Sequence, residues 1–365
     1  MGTGNYLILN GTSASIASTV VSSVSSSSFS VQGLNASQAH VAYIFASNAG
    51  GFGSAGTDNV ITCGSYTGNG SATGPTITLG YEPQWVMVKA SSTTGNWVIE
   101  DVIRGMSQTS SNELFPNLTN AETALNPGII PNATGFSLGT TNADMNTNAV
   151  TYIYIAIRRG PMKTPTDATT VFVPSTRAGT GATGSSTALG QVTDLTIIKQ
   201  RGSTQSWAWT DRLRGKTYEL FSNSITADTA YANDVTGFDS MTGFKFGTGA
   251  SGRVNTSGSN YIDYLFRRAP GFFDEVCYTG TGSATTQAHN LGVAPELMIV
   301  KSRNLADTAW SVYTASQGAG KQLYLQSNSY VTSSAGQFDT TPTSSSFYVG
   351  GSAFVNESGY TYVAY

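Results

Sequence analysis

The sequence predicts an all-β fold built from tandem β-sandwich, jelly-roll-like modules of about 100 residues each. Three observations carry that expectation. One phrase returns along the chain, its apolar runs have strand length and strand composition, and the residues between them are turn formers rather than charges.

The returning phrase comes first, because a fixed period governs how every other residue is read. GYEPQWVMVKASS at 80–92 comes back as GQVTDLTIIKQRG at 190–202 and as GVAPELMIVKSRN at 292–304, so the leading glycines lie 110 and then 102 residues apart. Each copy opens on a Gly-rich turn, YTGNGSATG from Tyr66, AGTGATGSS from Ala178 and YTGTGSATT from Tyr278. A tryptophan strand follows the lysine: NWVIEDVIRGM, SWAWTDRLRGK and AWSVYTASQGAGK. Then come NELFPN, YELFSN or QLYLQSN, a polar stretch of variable length, and GFSLG, GFKFG or SFYVGG. TYIYIAIRRG, NYIDYLFRR or YTYVAY closes the copy. These runs are four to eight residues long, rich in β-branched and aromatic types and bounded by Gly, Asn, Ser or Thr, which is the signature of strands. TNAE at 119–122 could cap a single helical turn.

Superposing the copies divides the chain into a C-terminal half-module at 1–55 and three modules at 56–165, 166–270 and 271–365. The half-module follows from YLILN, which aligns with the middle of a copy, and from SFSVQG and AHVAYIF, which align with its end. Its strands lack partners in the sequence, so we expect either preceding residues or contact with another subunit there. Junctions near 50–60, 160–178 and 268–274 are expected to be linkers open to protease.

Composition limits the partners. Only 11% of the 365 residues are charged, where about 25% is usual, and 41 are glycine. The net charge is −3 with 18 scattered basic residues, which leaves no electrostatic footprint for nucleic acid or an anionic membrane. No apolar run reaches the roughly 18 residues of a membrane helix, and no secretory signal is visible. Such chains suit all-β extracellular or virion proteins. Cys63 and Cys277 precede the same phrase in two copies, and we expect two free thiols.

The order of elements resembles a repeated module of unknown function in tail-fibre-like structural proteins of marine and cyanobacterial bacteriophages. What carries the resemblance is glycine, aromatic, proline and a V/I-x-V/I-K strand, then the tryptophan strand, D-x-x-R-G, L-x-x-N, G-F-x-x-G and a terminal Y-I/V-A-Y phrase. It spans Tyr6 to Tyr365, and the third copy departs from it by lacking D-x-x-R-G. The resemblance implies a virion surface protein, a tail fibre or appendage for host attachment, with a capsid-decorating or head-fibre protein as the alternative. Its partners would be other virion proteins and a host-surface glycan or protein, and by analogy it would be a homotrimer.

Catalytic signatures are weak on their own terms. We expect no enzyme activity, catalytic residue, cofactor or metal. GFSLG fits G-x-S-x-G, but Ser137 aligns with Lys245 and Tyr348, the behaviour of an outward strand position. GTGATG and GTGASG open no helix that could hold a phosphate. His40 and His289 lack companions at ligand spacing and read as structural. Glu100 and Asp101 are adjacent on a strand and face opposite ways, while Asp274 and Glu275 fall in a junction.

The pairs Asp101 with Arg104 and Asp211 with Arg214 are expected to brace a turn, at about 0.2–1 kcal/mol if exposed. The doublets Arg158 and Arg159, and Arg267 and Arg268, are expected to clamp module junctions. Trp97, Trp207 and Trp310, together with Trp85, read as core. Recognition is expected where copies disagree, at 105–134, 222–242 and 326–345, with the binding residues themselves unassigned.

Overall fold

The computed structural model describes residues 3–53, 55–333 and 335–365. They form two compact units. The first comprises the chain up to Val102, Ser110–Pro131 and Gly135–Arg159, and the second Ile103–Thr109, Asn132–Thr134 and Gly160–Tyr365.

Each full copy folds as a sandwich of antiparallel sheets. In the first unit the larger sheet runs in the order Ile61–Thr67, Thr151–Arg158, Pro83–Ala90, Trp97–Asp101, and faces a sheet of Ile129–Asn132, Gly135–Leu138 and Thr76–Thr78. Phe136 meets Tyr154 edge to face at 5.5 Å between them. In the second unit the same order recurs twice and is extended by further strands. Phe172–Ala178, Asn260–Phe266, Leu195–Gln200, Ala208–Asp211, Tyr218–Phe221 and Thr229–Ala230 make one sheet. Val276–Thr279, Thr361–Ala364, Leu297–Ser302, Ser311–Thr314, Lys321–Tyr324 and Thr332–Ser333 make the other. The two cores are separate clusters, one around Phe244, Phe246, Tyr261 and Leu265, the other around Tyr313, Phe338, Phe347 and Tyr362.

The closing strand of each copy is therefore central in its sheet, hydrogen-bonded on one side to the first strand and on the other to the strand ending in lysine. That position explains the fate of the half-module. Asn5–Tyr6 and Phe29–Val31 do form strands, but AHVAYIF at 39–45 has no ladder partner, and Val41, Tyr43 and Ile44 are 79%, 85% and 74% exposed. A strand made to sit between two neighbours has neither in this unit.

A buried asparagine pins the Gly-rich turn of every copy. Asn146 Nδ2 donates to the Ser71 and Thr140 carbonyls at 2.8 Å while its Oδ1 accepts from Asn69 N at 2.9 Å. Asn255 does the same with Ala182 O, Gly247 O and Thr180 N, and Asn356 with Ser283 O and Thr281 N. All three are fully buried, and a nearby tyrosine hydroxyl completes each clasp: Tyr152, Tyr261 and Tyr362 accept from Thr147, Thr256 and Glu357 N. Two of these asparagines end four-residue helices, Ala143–Asn146 and Ala353–Asn356, whose first turns are capped by Asn142 and Ser352. The helical turn expected at 119–122 does not form, and Thr123–Leu125 instead pairs as a strand with Ser111–Glu113.

The join at 268–274 is also not an open linker. Arg268, Ala269 and Asp274 are buried, so modules 166–270 and 271–365 belong to one compact unit.

Replacing the buried Asn356 by alanine removes its bonds to the Thr281 N–H and the Ser283 carbonyl of an exposed turn. At about 0.5–1.5 kcal/mol for each hydrogen bond lost, Asn356→Ala is expected to lower the urea midpoint of the second unit while leaving the first unit's transition in place, as followed by hydrogen exchange during a urea titration.

Candidate functional site

Alternate residues of each large sheet point away from its own core. In module 166–270 these are Leu195 and Ile197, Trp207 and Trp209, Tyr264 and Phe266; in module 271–365 they are Cys277, Ile299, Trp310, Val363 and Tyr365. The two sets pack together as a third apolar cluster. Trp209 lies 5.2 Å from Trp310 and 5.4 Å from Tyr365, and Phe266 lies 5.4 Å from Phe273. Each module thus presents the same face to the other. Trp310 Nε1 crosses the seam to the Phe221 and Ser224 carbonyls, both at 3.0 Å, and Lys301 Nζ to the Ile225 carbonyl at 3.3 Å.

Charges are sealed into the seam. Arg214 Nε donates to Asp211 Oδ2 at 2.5 Å and Arg214 Nη1 to Asp228 Oδ1 at 2.6 Å, with Arg214 and Asp211 wholly buried. Asp228 also takes Arg303 from the other module at 3.4 Å, and Tyr365 Oη donates to Asp211 Oδ2 at 2.6 Å. Arg268 grips the next module through Asp274 at 2.8 Å and the Glu275 carbonyl at 2.8 Å. The expected turn brace in the second copy is thus a buried network joining two modules rather than an exposed pair. The side chain of Glu275 is fully buried with no hydrogen-bond partner on either oxygen. Burial, then the nearby Asp211, holds its pKa well above the usual carboxylate range. Burial likewise pushes the Cys277 thiol up to about 12, so it is an unreactive core residue.

Beside the seam lies a groove of about 450 Å³ lined by Ile197, Trp207, Trp209, Ser222, Asn223, Tyr264, Leu325 and Gln326. The Trp207 and Tyr264 rings stack with centroids 6.4 Å apart and planes at 20°. Asn223 Oδ1 accepts from Trp207 N at 3.1 Å, and Gln326 Oε1 from Trp310 N at 2.9 Å, so both side chains are held with their amide oxygens spoken for by backbone. The lining combines aromatic faces, two amides and a hydroxyl, and carries no charged side chain. It suits an uncharged ligand with both an apolar face and hydroxyls.

The sequence-stated candidates fall elsewhere. Ser137, Lys245 and Tyr348 occupy one strand position, opposite Thr76, Ser185 and Thr286. His289 is tied to the Thr343 carbonyl and Leu291 N, and His40 to the Asn35 carbonyl. Glu100 faces the core and accepts from Ile129 N at 2.9 Å, while Asp101 on the opposite face is half-buried. Arg158 and Arg159 pair within their own module, with Asp58 at 3.1 Å and Glu82 at 3.3 Å, and Arg267 bonds Gln191. Trp97 and Trp310 are buried as expected of core residues. Trp207 and Trp85 lie on the outward face too and are only half-buried there.

Cys63 and Cys277 are both free, but not equivalent: counted from Tyr66 and Tyr278, which stack on Tyr152 and Tyr362 in their copies, the residue matching Cys277 is Ser65. The variable stretches contribute to the groove only through Ser222, Asn223 and Gln326. Its platform, Trp207 and Tyr264, was missed. The available signal was Trp207-Ala208-Trp209, where bulk falls on the outward positions and the inward one is small.

A family model described as a domain of unknown function (DUF7483) matches residues 1–161 and 167–365. No curated protein and no solved structure matches the chain.

Two outcomes are expected from the seam. Asp211→Asn removes one partner of a buried ion pair, which costs about 3–5 kcal/mol, and should lower the second unit's calorimetric transition sharply. The second outcome concerns pH. Burial pushes Glu219 up to about 8, and Glu275 is raised too, so the folded chain keeps protons that the unfolded chain releases near 4.5. Stability should therefore fall as pH rises from about 6.5 to 8, above the range where the lowered pKa of His289 acts in the opposite sense. Denaturant midpoints across that range should decline, and Glu219→Gln should flatten the slope.

Proposed function

The chain belongs to the DUF7483 family, and we propose that it is a non-enzymatic structural protein on the surface of a bacteriophage particle, a tail fibre or comparable appendage that attaches to host-surface saccharide. The observation that carries this reading is the groove beside Trp207 and Tyr264. A half-exposed stacked aromatic pair leaves apolar surface in water, and a pyranose ring offers a matching C–H face. The amides of Asn223 and Gln326 and the hydroxyl of Ser222 stand at its rim to meet ring hydroxyls. The absence of charge from the lining favours a neutral sugar over a sialic or uronic acid.

The order of sequence elements, with its likeness to modules of phage fibre-like proteins, supports the particle assignment. So does the seam, which makes two sandwiches into one stiff body. A shallow site of this kind binds weakly alone, and display in many copies on a particle raises its effective affinity by avidity. A capsid-decorating or head-fibre protein would share the seam but have no use for the groove.

The reading is tested by binding of the purified chain to neutral host-surface polysaccharides and to an array of neutral oligosaccharides. Trp207→Ala is expected to weaken binding at least tenfold with the circular dichroism spectrum unchanged, since the ring is not part of either sandwich core. Immunogold labelling should place the protein on tails or appendages. Label confined to capsids together with no saccharide binding would sink the attachment role.

A further inference from the structure

The groove is one end of a longer aromatic row. On the outward face of the 166–270 sheet, Phe172 stands on the edge strand, Tyr264 on the strand beside it, and Trp207 just before the strand two further in. The register sets them on a diagonal across the sheet: Phe172 pairs with Phe266, Tyr264 with Ile197, and Trp207 lies two residues before Trp209, the partner of Ile197 on the other side. Centroids are 6.4 Å apart at both steps, with the planes at 6° between Phe172 and Tyr264 and at 20° between Tyr264 and Trp207. Near-parallel rings that far apart cover little of one another, and all three side chains are half-buried, so the row presents ring surface to water. Phe266, 4.8 Å from Phe172 and tilted by 50°, packs against its outer end.

The polar tips of the row are open as well. The aligned Trp97 and Trp310 each commit the indole N–H to backbone carbonyls, Ile8 in one case and Phe221 with Ser224 in the other. Tyr365, which pairs with Ile299 as Tyr264 pairs with Ile197, commits its hydroxyl to Asp211. Among the described residues, neither Trp207 Nε1 nor Tyr264 Oη has a hydrogen-bond partner. The row therefore offers a bound molecule one donor and one hydroxyl that can donate or accept.

We propose, resting on the saccharide reading of the groove, that this row binds an extended, flat chain of a neutral polysaccharide, with successive pyranose rings lying on Trp207, Tyr264 and Phe172. Planes that turn by only 6° and 20° suit a ribbon-like chain, as β-1,4 linkage gives, and not the coil of an α-1,4-linked one. Discrimination among sugars belongs to the Trp207 end, where Asn223 and Gln326 line the groove and hydrogen bonds can distinguish hydroxyl positions. The Phe172 end adds stacking area with little selectivity. Because Phe172 lies on the edge strand, the chain can run on past it and needs no free end.

Calorimetric titration of residues 1–365 tests this, with β-1,4-linked gluco-, manno- and xylo-oligosaccharides of two, four and six residues and α-1,4-linked gluco-oligosaccharides as the coiled contrast. In at least one β-1,4 series, affinity should rise about tenfold or more from two residues to six, and reduction of the terminal aldehyde should leave binding of the hexasaccharide unchanged. Phe172→Ala should weaken the hexasaccharide about threefold or more and leave the disaccharide, which reaches only Trp207 and Tyr264, unaffected. Phe172→Tyr, which keeps the ring, should bind as the native chain does. The length series uses the native chain, so it decides the matter even where Phe172→Ala fails to fold. Equal affinity for two and six residues, tighter binding of the α-1,4 series, or a folded Phe172→Ala that binds the hexasaccharide normally would each overturn the extended chain and leave the groove as a site for a short sugar. Failure of every neutral saccharide to bind would overturn the groove's saccharide role along with it.

Discussion

A sheet that carries large apolar side chains on both faces must be covered twice, and this constraint organises the protein. The closing strand TYIYIAIR shows it most plainly: Tyr152, Tyr154 and Ala156 enter the sandwich core while Ile153, Ile155 and Ile157 face outward. The inward set is satisfied inside one module. The outward set requires a second body, and in the second unit that body is another module of the same kind. Pairing of sandwiches is thus a consequence of the strand pattern, and the hundred-residue repeat is not the independent bead that its period suggests.

The seam explains where the copies differ. Asp211 and Arg214 in one module correspond by register to Thr314 and Gln317 in the other. Two like faces in contact would otherwise bring two such pairs together. One pair is enough, because Arg303 and Tyr365 answer it from the opposite side. A second Asp and Arg would add buried charges without new partners, at a desolvation cost that Coulomb attraction seldom recovers. Loss of D-x-x-R-G in the third copy therefore follows from its role as the receiving half.

The same asymmetry leaves room for the groove. Trp310 is driven fully into the seam and spends its indole N–H on two carbonyls, whereas its counterpart Trp207 remains half-exposed over Tyr264. Position in the repeat is identical, yet one tryptophan is a core anchor and the other a platform. Averaging the copies treats both as core, and the error arises because the neighbour, not the residue, decides.

By itself the sequence determined the β class, the period, most strands of the three full copies, and the outward setting of Ser137, Lys245 and Tyr348, because alternation and turn chemistry are local. It also held the recurring asparagine of the clasp in plain sight, in MNTN, VNTS and VNES, though no strand pattern flags a residue whose work is to hold a turn. Tertiary structure alone decided which outward faces are covered. It alone buried the turn brace of Asp211 and Arg214 and extended it across the seam through Asp228, Arg303 and Tyr365, and it set Cys63 exposed and Cys277 buried. Those outcomes depend on which surface lies opposite, and contacts between residues about 75 to 155 positions apart leave no trace in the local periodicity that a sequence displays.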